Sequence, residues 1–295
     1  MSTTHHHDAP PLDGIDERES YARRRVPRAV VALAIVAAVG AAAMVVRTIR
    51  ETGDQADTAH AVPASSPLPL SALLNGQPSD ADGSVTYLHI RTWDIADATR
   101  DVLATYDEQL WWHPDGSALA KRCLVIEPAT MNRLANQPAA SCPPGHRAEP
   151  GQWVPRLAGP PSTDRETLRR QLDAYDTGDG PEHVVRAVAA LCREHLLDPR
   201  QRSAALSVLA DVPGLKWHGL TQDRVGRQGA AVTLDTGDPA AGMVRDILLI
   251  DPASGHLLGY EQIAMTPPPG SHLKPESVVK MIVYLEGQWA AALPQ

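Results

Sequence analysis

The feature that most constrains this chain is an uninterrupted apolar stretch from Ala29 to Val46. It contains no charged, amide or hydroxyl side chain, and with Thr48 and Ile49 it approaches the roughly 20 residues that a helix needs to cross a bilayer. A helix satisfies its own backbone hydrogen bonds, which lipid cannot do for it. The pattern therefore predicts a transmembrane helix over residues 29–49.

Arginines flank this stretch at both ends, where long cationic side chains can reach the lipid head groups. They are Arg23, Arg24, Arg25, Arg28, Arg47 and Arg50. Because the larger group precedes the stretch and basic residues are retained on the cytoplasmic side, we expect a cytoplasmic N-terminus and an extracytoplasmic C-terminal part. A cleaved signal peptide is the alternative, since the small residues 41–43 suit a peptidase. The long apolar core and long leader favour a retained anchor.

The remaining chain divides by composition. Residues 1–28 are polar and predict a disordered cytoplasmic tail, because they cannot bury enough apolar surface to offset the entropy of ordering. Residues 50–83 are rich in Asp, Gly, Ala, Ser and Pro and predict a linker, with a leucine patch at 68–74 that favours a short docked helix. Residues 84–291 predict one extracytoplasmic domain, long enough to bury a core. The net charge of −8 argues against a nucleic-acid partner.

The three cysteines allow one disulfide. Cys123 and Cys142 flank a proline-rich loop and could bridge in an oxidising compartment. Two unpaired thiols are the alternative. Cys192 lies on an apolar helical face, where a free thiol behaves as a small hydrophobic group.

Alternation of apolar and polar residues predicts strands before and after a helical region. A strand from Ser84 and a hairpin turning at 114–116 come first, followed by an irregular proline-rich excursion over 127–162. Three helices follow, the first capped by Ser162 or Thr163 and the others opening at Pro181 and Pro199.

Five further strands complete the domain. They are predicted at 215–221, 229–235, 245–251, 256–266 and 277–289. On the last strand, one face should carry Val279, Met281, Val283 and Leu285, and the other face should carry Lys280, Tyr284 and Glu286. The order predicts an α+β fold, an antiparallel sheet with about three helices packed on one side.

Several segments of the C-terminal half carry a family resemblance. They are 161–164, 206–215, 223–227, 229–232 and 247–261. Together they resemble actinobacterial single-span membrane proteins often encoded beside extracytoplasmic-function sigma factors. The resemblance implies a membrane anchor and a link to sigma-factor signalling, and it assigns no catalytic residues. The strand–helix–strand order is also similar to the open half-barrel of lipoprotein carriers and of a periplasmic co-regulator of an envelope-stress sigma factor.

Motifs for catalysis or metal binding are weak. The chain contains no Walker loop, zinc-protease helix motif or serine nucleophile elbow. Cys192 and His195 lie one helical turn apart with His183 upstream, which falls short of a zinc site. We therefore expect no cofactor, no metal and no enzymatic activity.

Tryptophans are the candidate contact residues. Trp93, Trp111 and Trp112 fall on paired predicted strands, and the adjacent pair must face opposite sides of the sheet. One of that pair can enter the core while the other contacts an apolar ligand or a partner. The alternative is that both are covered by helices or by the proline-rich loop.

The sequence thus predicts a membrane-anchored, extracytoplasmic binding or sensory module for an envelope ligand or protein partner. A half-barrel carrier of lipid or lipoprotein is the alternative, and an envelope hydrolase is a distant third.

Overall fold

The computed structural model describes residues 68–97, 102–125, 142–157, 159–176 and 178–294. The predicted cytoplasmic tail, the predicted transmembrane helix and its flanking arginines lie outside these ranges. Within the ranges, no helix combines the length and apolarity needed to cross a bilayer.

The described residues form one antiparallel sheet of nine strands with four α-helices on one side of it, which confirms the predicted α+β class. The strands are β1 Val85–Asp97, β2 Val102–Trp112, β3 Ala118–Leu124, β4 His146–Ala148, β5 Lys216–Gln222, β6 Gln228–Asp238, β7 Gly242–Ile250, β8 Leu257–Thr266 and β9 Ser277–Ala290. The helices are α1 Leu68–Asn75, α2 Arg165–Gln171, α3 Pro181–Glu194 and α4 Pro199–Ala210, and a 3-10 turn over Leu172–Ala174 extends α2.

The strands follow the order β4-β3-β2-β1-β9-β8-β7-β6-β5 across the sheet. Two meanders, β1–β4 and β5–β9, therefore meet where β1 pairs with β9. A bulge interrupts this central pairing, because His89 pairs with Glu286 while the next residue, Ile90, pairs with Tyr284. Leu285 is the extra residue, and it increases the local bend of β9.

Prolines set the starts of the two long helices, as the sequence predicts. Pro181 and Pro199 occupy first-turn positions, where a missing N–H costs nothing. Asp198 and Gln201 add a reciprocal capping box to α4. The predicted cap of the first helix was wrong, because the carboxylate of Asp164, rather than the hydroxyl of Ser162 or Thr163, accepts the backbone N–H of Thr167.

The main core lies between the helices and one face of the sheet. Leu191 of α3 and Leu209 of α4 pack there against Leu248 and Ile282 of the sheet. A second apolar cluster, which includes Ile247, lies on the opposite face. The last strand serves both, because Met281 and Val283 join the second cluster while Ile282 and Tyr284 join the first. The predicted alternation of β9 is confirmed for Met281, Val283 and Tyr284, whereas Val278 rather than Val279 joins the second cluster, because the register of β9 against β8 shifts there.

The linker prediction includes a helix that belongs to the folded body. Helix α1 lies on α4, and Leu74 is 0% exposed in the main core. The Ser71 hydroxyl donates to the carbonyl of Ser203 at 2.9 Å, and the Ser203 hydroxyl donates to the carbonyl of Ser71 at 2.8 Å. The predicted short docked helix is confirmed.

The proline-rich region of the domain contains a disulfide and one short strand. Cys123 and Cys142 form a disulfide with their Cα atoms 4.3 Å apart, which confirms the predicted bridge. Cys192 is a free thiol. The segment predicted to be irregular contains β4, which pairs with β3 through Ala118 and Ala148. Three residues are too few to show a period in the sequence.

Candidate functional site

A pocket of about 240 Å³ lies between α3, α4 and the end of the sheet formed by β8 and β9. Its walls are mainly aliphatic. They include Leu88, Val188, Leu196, Leu206, Leu209 and Leu257. A concave, mostly apolar site with few polar groups is the usual form of a small-molecule site.

Two of the hydrogen bonds that join the helical wall to the sheet come from buried aromatic side chains. The Tyr284 hydroxyl donates to the carbonyl of Ala189 in α3 at 2.7 Å. The Trp112 indole N–H donates to the carbonyl of Glu194 at 2.6 Å, which satisfies one of the open carbonyls at the end of α3. Burial raises the pKa of Tyr284 well above its usual value, so its hydroxyl remains a donor at neutral pH.

Arg202 is the buried cation of the pocket. Its side chain is 5% exposed and lies 3.1 Å from the carboxylate of Asp80, which is 46% exposed. The guanidinium also donates from one terminal nitrogen to the carbonyl of Leu197, and its Nε has no acceptor among the described residues. A buried donor without an acceptor is costly, so Arg202 presents a strong unused donor.

His195 supplies a second polar group. Its ring packs edge-on against Trp112, with the ring centroids 5.2 Å apart, and its Nε2 has no hydrogen-bond partner among the described residues. Burial lowers the pKa of His195 to about 4, so the imidazole is neutral at pH 7. Both His195 and Arg202 line the pocket.

Three other ionisable groups of the pocket, Arg227, His256 and Asp251, already have partners or have a pKa shifted toward the neutral form. Arg227 bonds to Asp223 and to the carbonyls of Tyr284 and Leu258. Burial, followed by the charge of nearby Arg202, lowers the pKa of His256. The Asp251 carboxylate accepts from Ser254 and from the amide of Ala253 within its own turn.

The thiol of Cys192 also lines the pocket, and burial raises its pKa to about 12, so it remains protonated and is a poor nucleophile. His183 lies elsewhere, with its Nε2 at 3.0 Å from Asp173. In the described ranges, no three residues among His, Cys, Asp and Glu are grouped to hold a metal ion.

The predicted contact tryptophans do not form one site. Trp93 is buried in the second cluster, and Trp112 is buried on the helical side, where it supports His195. Trp111 lies on the other face, half-buried, stacked on Tyr87 with ring centroids 4.7 Å apart and beneath the ammonium of Lys121. The adjacent pair thus faces opposite sides as predicted, while contact with a ligand or partner stays a prediction.

Sequence reasoning missed Arg202 and considered His195 only beside Cys192. The pocket residues come from two helices, the connector between them, two turns and four strands, so no local spacing brings them together. No local signal marks Arg202, because it follows Arg200 and Gln201 in the first turn of α4, a context typical of solvent-exposed residues.

Neither a family model nor a curated protein nor a solved structure matches this chain. The resemblance to sigma-factor-associated membrane proteins therefore stays a prediction from the sequence.

Proposed function

We propose that this chain is a single-pass membrane protein whose extracytoplasmic domain binds a small molecule and signals its presence. The observation that carries the proposal is the pocket between α3, α4 and the sheet, with its aliphatic walls and two unsatisfied buried nitrogen atoms. Such groups fix the orientation of a ligand that the apolar walls hold.

Helix α4 connects the pocket to the N-terminal side of the domain. Arg202 faces the pocket, while its neighbour Ser203 bonds to α1. Helix α1 lies in the predicted linker, between the pocket and the predicted membrane span. A ligand that shifts α4 changes the docking of α1, and this supports a sensory role over simple storage.

The location rests on two features of the chain. The apolar stretch from Ala29 to Val46 with its arginine flanks favours an anchor with a cytoplasmic N-terminus. The Cys123–Cys142 disulfide suits an oxidising compartment outside the cytoplasm. Coupling to a sigma factor follows from the sequence resemblance, and residues 1–28 are the segment that would reach the cytoplasm.

A half-barrel carrier of lipid or lipoprotein is the second candidate. The open sheet with helices on one side and leucine-lined pocket favour it. The volume of the pocket argues against a carrier. About 240 Å³ is below the range of roughly 300–1,000 Å³ typical of drug-sized sites and far too small for a lipoprotein anchor.

Native mass spectrometry of the full-length chain in lipid nanodiscs tests the function. A sensor should retain or take up a small molecule, and a carrier should retain acyl chains. Absence of either, together with no thermal shift from a library of small polar and amphiphilic compounds, would overturn the binding proposal.

Topology has its own test. Protease added to intact cells should digest the C-terminal domain. Protection in intact cells combined with digestion after lysis would overturn the extracytoplasmic location.

A further inference from the structure

We propose that the pocket selects a short amphiphilic anion, such as a small alkyl carboxylate, whose head group replaces Asp80 at the guanidinium of Arg202. The inference rests on the proposed function in treating this pocket as a ligand site, and it adds the chemistry of the ligand and the contact that the ligand breaks.

Arg202 is held in place independently of Asp80. One terminal nitrogen donates to the carbonyl of Leu197, in the connector between α3 and α4. The other terminal nitrogen bonds to Asp80 at 3.1 Å, and Nε lacks an acceptor. An incoming carboxylate can therefore accept from two guanidinium nitrogens at once, which is the favoured geometry between arginine and carboxylates.

Asp80 is the weaker partner of this ion pair. It lies beyond α1 on an irregular segment, and its side chain is 46% exposed while Arg202 is 5% exposed. A half-exposed carboxylate gains little from such a pair because water competes for it. A ligand with a carboxylate and an alkyl chain also gains free energy from apolar contacts of its chain, which Asp80 does not make.

The surrounding charges leave the arginine as the main attraction for an anion. Arg227 is bonded to Asp223, and the Asp251 carboxylate is engaged in its turn. Glu286 is exposed at the pocket rim. Its charge contributes, after burial, to the raised pKa of Tyr87, which lies on the opposite face of the sheet. The imidazole of His195 offers one further hydrogen-bonding atom.

The apolar part of the ligand is limited by volume. About 240 Å³ holds roughly eight groups the size of a water molecule, at about 30 Å³ each. Hexanoate, with eight non-hydrogen atoms, matches this size. Its chain would lie against Leu206, Leu209 and Val188, which are buried in the pocket walls.

Displacement of Asp80 also has a consequence for α1. The ion pair joins the segment that follows α1 to α4, alongside the contacts of Ser71. Loss of the pair therefore weakens the attachment of residues 68–80. Ligand binding would thus change the N-terminal side of the domain, because the ligand competes with Asp80 for Arg202.

Calorimetric titration of the full-length chain in nanodiscs with hexanoate, hexanol and acetate tests the proposal. Hexanoate should bind more tightly than hexanol or acetate, because only hexanoate has both a charged head and an apolar chain.

Asp80→Asn removes the competing charge and should lower the dissociation constant for hexanoate roughly two- to fivefold, the range expected for a half-exposed ion pair. Asp82→Asn, an exposed acid two residues away, is the matched control and should leave it unchanged.

The binding place is tested by filling the pocket. Leu196→Trp should abolish hexanoate binding, while Leu220→Trp on an exposed position of β5 should not. Circular dichroism and melting curves check that both variants remain folded.

The possible failures are distinguishable. Equal binding of hexanol and hexanoate, with no effect of Asp80→Asn, would overturn the anion proposal and leave a pocket for neutral ligands. Retention of another class of molecule in native mass spectrometry, with no hexanoate binding, would overturn the ligand class alone. Absence of every ligand would overturn the proposed function as well.

Discussion

Arg224 and Glu261 form a two-pronged ion pair across the sheet face opposite the helices, with Nε–Oε1 and Nη2–Oε2 distances of 2.7 and 2.6 Å. Their side chains are 3% and 1% exposed. Arg224 comes from the β5–β6 turn and Glu261 from β8, so the pair ties this turn to the sheet. Two opposite charges so deeply buried depend on each other, because neither has water to replace its partner.

Glu261→Gln should therefore destabilise the domain by about 3 kcal/mol, since it leaves the charge of Arg224 buried without its carboxylate. Chemical denaturation measures this as a loss in the free energy of unfolding. Glu166→Gln breaks the exposed pair with Arg165 and should change stability by less than about 1 kcal/mol. A double variant, Arg224→Met with Glu261→Met, should recover most of the loss. A double variant as unstable as the single one would show that packing, rather than charge pairing, decides the cost.

The docking of helix α1 on the domain depends on the buried side chain of Leu74. Leu74→Ala should cost about 3 kcal/mol, because its side chain is 0% exposed and its removal leaves a cavity in the main core. Leu73→Ala, at a neighbouring position that is 59% exposed, should change stability by less than about 0.5 kcal/mol. Denaturation gives the stability of both variants. Limited proteolysis then shows whether Leu74→Ala frees residues 68–80, and equal effects of the two variants would contradict the docked position of α1.

The disulfide should stabilise the folded domain by restricting the unfolded chain. Cys123 and Cys142 are 19 residues apart in sequence, and a loop of this size corresponds to about 3 kcal/mol. The double variant Cys123→Ser and Cys142→Ser, and the wild type under reducing conditions, should show the same lowered melting temperature. Cys192→Ala should retain the response to reductant. Insensitivity of the wild type to reductant would contradict the bridge.

His195 should make the domain less stable in mild acid. Burial lowers its pKa to about 4 from an ordinary value near 6.5, so the unfolded chain binds a proton more readily than the folded one below pH 6.5. Stability should therefore be full above pH 6.5 and fall as the pH drops from 6.5 to 4. At pH 5 the contribution of His195 amounts to a loss of about 2 kcal/mol.

Denaturation of the wild type and of His195→Gln at pH 7.5 and pH 5 measures this contribution as a difference between the two proteins. Burial also lowers the pKa values of His218 and His256, so part of the pH dependence should persist in the variant. His146→Gln, at an exposed position, should behave as the wild type does. An unchanged pH dependence in His195→Gln would show that the imidazole is not buried in its neutral form.

The elements with strong local signals could be predicted from the sequence. Pro181 and Pro199 mark helix starts because their missing N–H groups fit a first turn. The turn at 114–116 could be predicted from its residue types, since Gly116 adopts a φ of 83° that other residues disfavour. The first cap was misplaced because Ser162, Thr163 and Asp164 are all good caps, and only the direction of the entering chain decides between them.

The pocket could not be predicted, because its polar groups come together only through tertiary packing. Arg202 in a first helical turn and Arg227 in a hairpin both have the sequence context of solvent-exposed residues. Arg202 is buried and Arg227 partly buried through contacts with Asp80, Leu197 and Asp223. Asp80 is 122 residues from Arg202, and the two nearer partners come within reach only where the chain turns. The tryptophans were correctly placed on opposite faces, since that follows from the two-residue period of a strand.

The pairing of β1 with β9 places the first and last of the described strands side by side at the middle of the sheet. During synthesis, β1 cannot pair with β9 until nearly the whole domain has been made. Until then, the backbone edges of β1 and β8 are open to pairing with other chains. A truncation that removes β9 should therefore yield two separate half-sheets that aggregate, and the yield of folded protein should depend on residues 277–290.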